Sequence, residues 1–196
     1  MAFKARPGEK YTIRRKILKV FGAAFHVYDA EGSVIAYCKQ KAFKFREDIR
    51  LYTSDAMSEE LLVMKARSVI DFGVTFDVTL PTGEVLVSFR RKGLKSAFVR
   101  DEWKVFDHAG QEIGKLSERG SFMSFLRRWT DWGALVSPQK FDLVLNDGTQ
   151  IAALRQHFNW FVYRLGVSVV KEDERVDDLA ILAAGCLICA IEGRQR

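Results

Sequence analysis

The chain has 196 residues, of which 48% are hydrophobic and only three are proline, so it is long enough to fold as one domain around a sizeable core. This composition excludes a largely disordered protein. The net charge of +6 favours anionic partners such as acidic lipid, acidic protein or nucleic acid, without choosing among them. The surplus is concentrated in residues 1–50, which hold 12 Lys and Arg against 5 Asp and Glu.

Neither the first residues nor the cysteines indicate secretion. Residues 1–6 contain no apolar run typical of a signal peptide, and three cysteines are too few for a disulfide framework. A reduced compartment is therefore expected. The sequence predicts a cytoplasmic protein. The alternative is a cytoplasmic protein that attaches peripherally to a membrane.

Most of the chain alternates apolar and polar residues. The alternation is clear in residues 75–80 and 141–146, and it is typical of half-buried antiparallel strands. Glycine-containing hairpin turns separate such segments at residues 29–32, 81–83, 107–110 and 146–148. We count about ten to twelve predicted strands, which is enough to close a sheet and remove its edges.

One segment departs from this alternation. Residues 120–129 place Phe122, Phe125, Leu126 and Trp129 at helical spacing. The spacing predicts a short amphipathic helix near 121–130.

The last element is apolar on every side. No charged residue lies between Asp178 and Glu192, so a helix over residues 177–191 must be buried all round. It is shorter than the roughly 20 apolar residues that cross a bilayer. Its many Ala, Gly and Cys residues make it thin. We therefore predict a mainly β protein, a closed antiparallel β-barrel wrapped around its own hydrophobic C-terminal helix.

Several segments resemble LURP-one-related proteins. The opening strand at residues 11–18 is similar, and the later similarity includes Lys65-Ala66-Arg67, Phe76-Asp77-Val78, residues 91–96 and Trp103. The same superfamily holds phospholipid scramblases and the tubby C-terminal domain. The resemblance covers roughly residues 10–192 and implies one tubby-like domain over 1–196, a barrel of about twelve strands threaded by the C-terminal helix.

The resemblance also implies classes of function. Tubby-type domains bind phosphoinositides, and scramblases are associated with lipid movement. No lipid-binding motif of the family aligns with this sequence, so no ligand residue is transferred. The Pro-rich tail and the Cys-rich acylation stretch of animal scramblases are absent from the sequence.

A basic cluster is the first candidate binding site. Five cations lie within eleven residues around Gly93, and a bend there would gather them at one rim of the barrel: Arg90, Arg91, Lys92, Lys95 and Arg100. Anionic headgroups favour such a rim through charge-assisted hydrogen bonds. The alternative is a solvated basic face.

An aromatic and basic cluster is the second candidate. Its residues are those favoured at a membrane interface: Phe122, Arg127, Arg128, Trp129 and Trp132. The alternative is a lid packed on the barrel wall.

No sequence pattern indicates catalysis, a metal or a cofactor. Cys186 and Cys189 have CxxC spacing, but both lie in the apolar helix, which favours core packing. The acidic residues 172–178 lack the spacing of a calcium loop and suit the start of a helix.

We therefore predict a non-enzymatic binding or scaffolding module. Its expected partner is an anionic membrane surface, a phosphoinositide or a protein, with no transmembrane insertion. One alternative is a scramblase-like lipid-mobilising protein. The other is a basic nucleic-acid-binding protein, which is disfavoured because the aromatic residues alternate like core residues.

Overall fold

A computed structural model describes residues 6–16, 23–40, 48–68, 74–91, 102–119, 138–157 and 162–191. These residues form twelve strands, β1 to β12, and one helix, α1. The strands are Tyr11–Lys16, Ala23–Tyr28, Val34–Gln40, Asp48–Tyr52, Glu60–Ser68, Thr75–Thr79, Val85–Arg91, Glu102–Phe106, Glu112–Glu118, Lys140–Leu145, Gln150–His157 and Val162–Val169, and α1 is Asp178–Ile191. The predicted helix near 121–130 lies outside the described residues.

The sheet is closed and antiparallel. Each strand pairs with its neighbours in sequence, and β1 pairs with β12 to complete the barrel. The alternation behaves as predicted, since Phe141, Leu143 and Leu145 are all at most 3% exposed. Four turn glycines, at positions 32, 83, 110 and 148, have positive φ, as the hairpins require. The predicted fold class is confirmed.

Helix α1 fills the lumen. Every residue from Ala180 to Ala190 is buried. At Gly185 a Cβ would lie 2.8 Å from Cδ1 of Ile13 and 3.2 Å from Cγ2 of Val167, so the helix lies very close to the wall there. Glycine at position 185 is therefore needed for the helix to fit inside the barrel.

Strand β1 runs in the same direction as α1 and contacts both of its ends. Near the start of the helix, Asp178 pairs with Lys10 and accepts a hydrogen bond from the Tyr11 hydroxyl at 3.4 Å. Near its end, Nη1 of Arg15 donates to the carbonyl oxygen of Cys189 at 3.2 Å. A cation at the C-terminal end of a helix complements its dipole. Asp177 caps the other end, accepting from the Ala180 N–H at 2.8 Å.

This arrangement defines two ends of the barrel. The helix begins at the end that carries five tight turns, residues 29–33, 53–59, 80–84, 107–111 and 146–149, together with residues 170–177; we call it the turn end. At the opposite end, which we call the connection end, the chain leaves each odd-numbered strand and enters the next even-numbered one. Apart from positions 74, 119, 138 and 139, the residues that join these strand ends lie outside the described ones.

Candidate anion-binding surfaces

The interior of the barrel is occupied by side chains of α1 and of the strands. Two concavities formed by described residues lie outside the filled lumen. The larger is an open groove of about 780 Å³ beside residues 172–178, and the smaller, of about 350 Å³, lies between the turns at 84 and 107. Both are at the turn end, and carboxylates line both.

The structure describes two of the five residues of the predicted basic rim, and they face opposite sides of β7. Nε of Arg90 donates to Oγ1 of Thr75 at 3.2 Å, and its guanidinium lies 4.7 Å from the ring centre of Phe106. The guanidinium of Arg91 lies 5.6 Å from the ring centre of the buried Trp103. Successive side chains of a strand alternate between faces, so these two cations do not form one cluster.

The remaining predicted site residues lie outside the described residues. They are Lys92, Lys95 and Arg100 of the rim, and Phe122, Arg127, Arg128, Trp129 and Trp132 of the aromatic and basic cluster. Both predicted sites stay predictions.

A buried carboxylate forms a polar centre on the outer wall, and the sequence analysis missed it. Glu9 and His157 are 8% and 7% exposed, and Oε1 of Glu9 is hydrogen-bonded to Nε2 of His157. Oε2 of Glu9 also accepts from the Arg6 N–H at 3.1 Å and from the Thr12 hydroxyl at 3.3 Å, and Nη2 of Arg164 lies 3.9 Å from it.

These contacts keep Glu9 ionised despite its burial. Burial raises the pKa of this carboxyl. The contacts described above, chiefly the hydrogen bonds with His157 and with the Arg6 N–H, lower the pKa by a larger amount, so it lies below its usual value. The one sequence signal for this centre is Gly166 inside strand β12. A glycine within a strand often marks a close approach of another group.

Beside this centre, six polar and aromatic residues lie at neighbouring positions on six successive strands. Strand register aligns them across the outside of the barrel; we call them the outer-wall row: His157, Arg164, Arg14, His26, Tyr37 and Tyr52. Their outward orientation follows from the alternation, because the preceding residues Ile13 and Phe25 are fully buried in the core.

The rings in this row touch one another and an adjacent tyrosine. The His26 ring centre lies 5.1 Å from that of Tyr37 and 6.3 Å from that of Tyr28, with interplanar angles of 54° and 50°. The Arg14 guanidinium lies 5.7 Å from the Tyr28 ring centre. Three tyrosines, at positions 28, 37 and 52, are thus half-buried on the outer face. The expectation that the aromatic residues alternate like core residues is wrong for these three.

The cysteines form no candidate site. Cys38, Cys186 and Cys189 are all free and fully buried. Burial raises the pKa of the Cys38 and Cys189 thiols well above their usual range, so both are held as neutral thiols. Within the described ranges, no three His, Cys, Asp or Glu side chains are grouped as metal ligands would be.

Comparisons with known proteins identify no family. No family model matches the chain, and neither a curated protein nor a solved structure is significantly similar to it. The resemblance to LURP-one-related proteins therefore stays a prediction. Across the part of the chain that the structure describes, no helix combines the length and apolarity needed to cross a membrane.

Proposed function

We propose that the protein is a non-enzymatic binding module that docks on anionic membrane surfaces through the connection end of its barrel. The observation that carries this proposal is the uneven distribution of charged and aromatic residues between the two ends. A filled barrel leaves ligand binding to its exterior, where loops held by a rigid scaffold are the usual sites.

The segments that connect the strands and α1 at the turn end are acidic and contain no aromatic residue. These six segments hold eleven Asp and Glu against two Lys and Arg, with no Phe, Trp or Tyr. Such segments are repelled by an anionic surface and offer no aromatic side chain to the lipid interface.

The composition of the opposite end is reversed. The six segments that join strands there, residues 17–22, 41–47, 69–74, 92–101, 119–139 and 158–161, hold ten Lys and Arg against four Asp and Glu, and twelve Phe and Trp. Aromatic and basic side chains together favour the membrane interface. Each cation near an acidic membrane contributes about 1 kcal/mol, and salt screens this attraction.

Connectivity also relates the two sets of residues predicted from sequence. Lys92, Lys95 and Arg100 belong to the segment that joins β7 to β8. Phe122, Arg127, Arg128, Trp129 and Trp132 belong to the segment that joins β9 to β10. Both segments begin and end at strand ends of the connection end, so we propose that the two sets serve one docking surface.

The scramblase-like alternative gains no support from the contacts of α1. Leaving the barrel would break the contacts of Asp178 and of the Cys189 carbonyl with β1 and would expose the lining of the lumen.

Vesicle co-sedimentation tests the proposal. Wild-type protein should bind phosphatidylcholine vesicles only when phosphatidylserine is included, and high salt should weaken binding. Lys92→Glu combined with Lys95→Glu should abolish it with little change in Tm. The matched control is Lys65→Glu combined with Lys171→Glu, which makes the same charge change at exposed residues of the wall and the turn end. Equal loss in both pairs, or a wild type that ignores acidic vesicles at low salt, would overturn the proposal.

A further inference from the structure

We infer that the outer-wall row from Arg164 to Tyr52, together with Tyr28 and Arg6, is a binding surface for single-stranded nucleic acid; His157, at the end of the row, is buried and lies beneath it. This surface lies on the side of the barrel and does not depend on the membrane-docking proposal. Proteins that bind single strands combine aromatic side chains, on which bases stack, with cations that follow the phosphates. The outer wall places both kinds of group side by side.

The cations lie at one end of the row. Arg14 and Arg164 are directly opposite each other on β1 and β12, a like-charge pairing that is normally destabilising. Burial lowers the pKa of Arg164, and the charges of Arg6 and Arg14 lower it further, whereas Glu9 raises it. Positive charge is therefore concentrated at this end of the row, where it would attract a phosphate.

The aromatic residues occupy the other end of the row. His26, Tyr28 and Tyr37 form a cluster of tilted rings, and each keeps part of its surface exposed. The exposed Ile35, at 36% accessibility, extends this surface along β3. Next to Tyr52, the charge of Arg50 is balanced by Asp48 at 3.0 Å and Glu60 at 2.8 Å. The geometry thus separates a phosphate-binding end from a base-stacking end.

The dimensions of the surface suit a short single strand. The accessible residues lie on five adjacent strands spaced by about 4.8 Å, so the surface is roughly 19 Å long. Sites on other β-barrels that bind single strands take about 4 to 16 nucleotides. A duplex hides the faces of its bases, so it could use only the arginines. Single strands should therefore bind more tightly than duplexes of the same sequence.

Fluorescence anisotropy with a labelled single-stranded oligonucleotide, and with its duplex as competitor, tests this inference. Tyr37→Ala and His26→Ala should each raise Kd about tenfold, a typical effect of losing one stacking ring. Arg14→Gln should reduce the slope of log Kd against log salt by about 0.7, the value for one phosphate contact on a single strand. Thermal melts of each variant show whether it is folded.

Matched controls come from the opposite wall. Phe106→Leu removes an outward aromatic that contacts an arginine, and Lys104→Gln removes a wall cation, and neither should change Kd. Lys92→Glu combined with Lys95→Glu should leave most of the affinity for nucleic acid, which separates this surface from the membrane-docking one. No binding by the wild type at low salt, equal affinity for the duplex, or equal losses in the wall controls would overturn the inference; a protein partner would then be the remaining occupant.

Discussion

The carboxylate of Glu9 lies against Gly166, in the space that a Cβ at position 166 would occupy. Because glycine has no side chain, the buried Glu9 carboxylate can pack directly against the outer face of β12 and contact His157 on β11. The contact between Glu9 and His157, which are 148 positions apart in the chain, holds the residues that precede β1 against the outside of the barrel.

Gly166→Ala should destabilise the protein, because the added methyl group displaces the Glu9 carboxylate and leaves His157 without it. Overpacking of this kind costs about 1–3 kcal/mol. Urea unfolding of Gly166→Ala, Glu9→Ala and the double variant measures the effect. The double variant should lose less stability than the sum of the two, since Glu9→Ala removes the clash. Strict additivity would show that the two positions are not coupled.

Acidification should weaken the Glu9 centre. Because the folded-state pKa of Glu9 lies below its unfolded value of about 4.5, its contribution is fully present above that value and is lost as pH falls through the lower folded pKa. Glu9→Gln should therefore be less stable than wild type near neutral pH, and the difference should shrink as pH falls below about 4.5. Chemical denaturation at several pH values gives this difference, and a gap that stays constant down to the most acidic pH would contradict the assignment.

The close approach at Gly185 makes the lumen intolerant of larger side chains. Gly185→Leu should destabilise the protein by at least about 1–3 kcal/mol or prevent soluble folding, because the helix cannot move away from a closed wall. Adding Ile13→Ala should restore part of the stability, since Cδ1 of Ile13 is the nearest atom to a Cβ at position 185.

Deletion of residues 177–196 is a second check on the central helix, because it should remove the side chains that fill the barrel. A soluble truncated protein with unchanged Tm would refute the central-helix arrangement.

The three thiols should be protected from reagents in the folded protein. Cys38, Cys186 and Cys189 have no exposed surface, and burial disfavours the reactive thiolate of Cys38 and Cys189. Labelling should be slow in native conditions and rapid in denaturant. Ala30→Cys, at an exposed turn, supplies a fast-reacting reference in the same molecule. Native labelling of all three thiols as fast as that reference would show that the helix leaves the barrel.

Asp177 should contribute to stability as the N-cap of α1. Asp177→Ala removes the acceptor of the Ala180 N–H and should cost about 1 kcal/mol, whereas Asp177→Asn keeps an acceptor and should cost less. Thermal melts compare the two variants. Equal losses would mean that the negative charge of Asp177, and not its hydrogen bond, is what stabilises the helix.

The local elements, and the architecture that they require, could be predicted from the order of residues along the chain. Alternation of Phe141, Leu143 and Leu145 with polar residues defined a strand with one buried face, and the turn glycines marked where hairpins reverse. The helix was predicted over 177–191 and is Asp178–Ile191. A helix with no polar face has to be buried on all sides, and the number of predicted strands was enough to form a closed barrel around it. These conclusions need only the chemistry of neighbouring residues.

Which polar residues contact one another depends on how the strands pair across the barrel. The Glu9 centre depends on closure of β1 against β12, and the outer-wall row depends on the register of six strands. In β2, Phe25 and Val27 alternate with His26 and Tyr28, and both sets are large enough to pack, so alternation alone does not say which set faces the lumen. Contacts between residues far apart in the chain settle the choice, because the closed lumen has room for Phe25 and Val27 around α1 and leaves His26 and Tyr28 outside with Arg14.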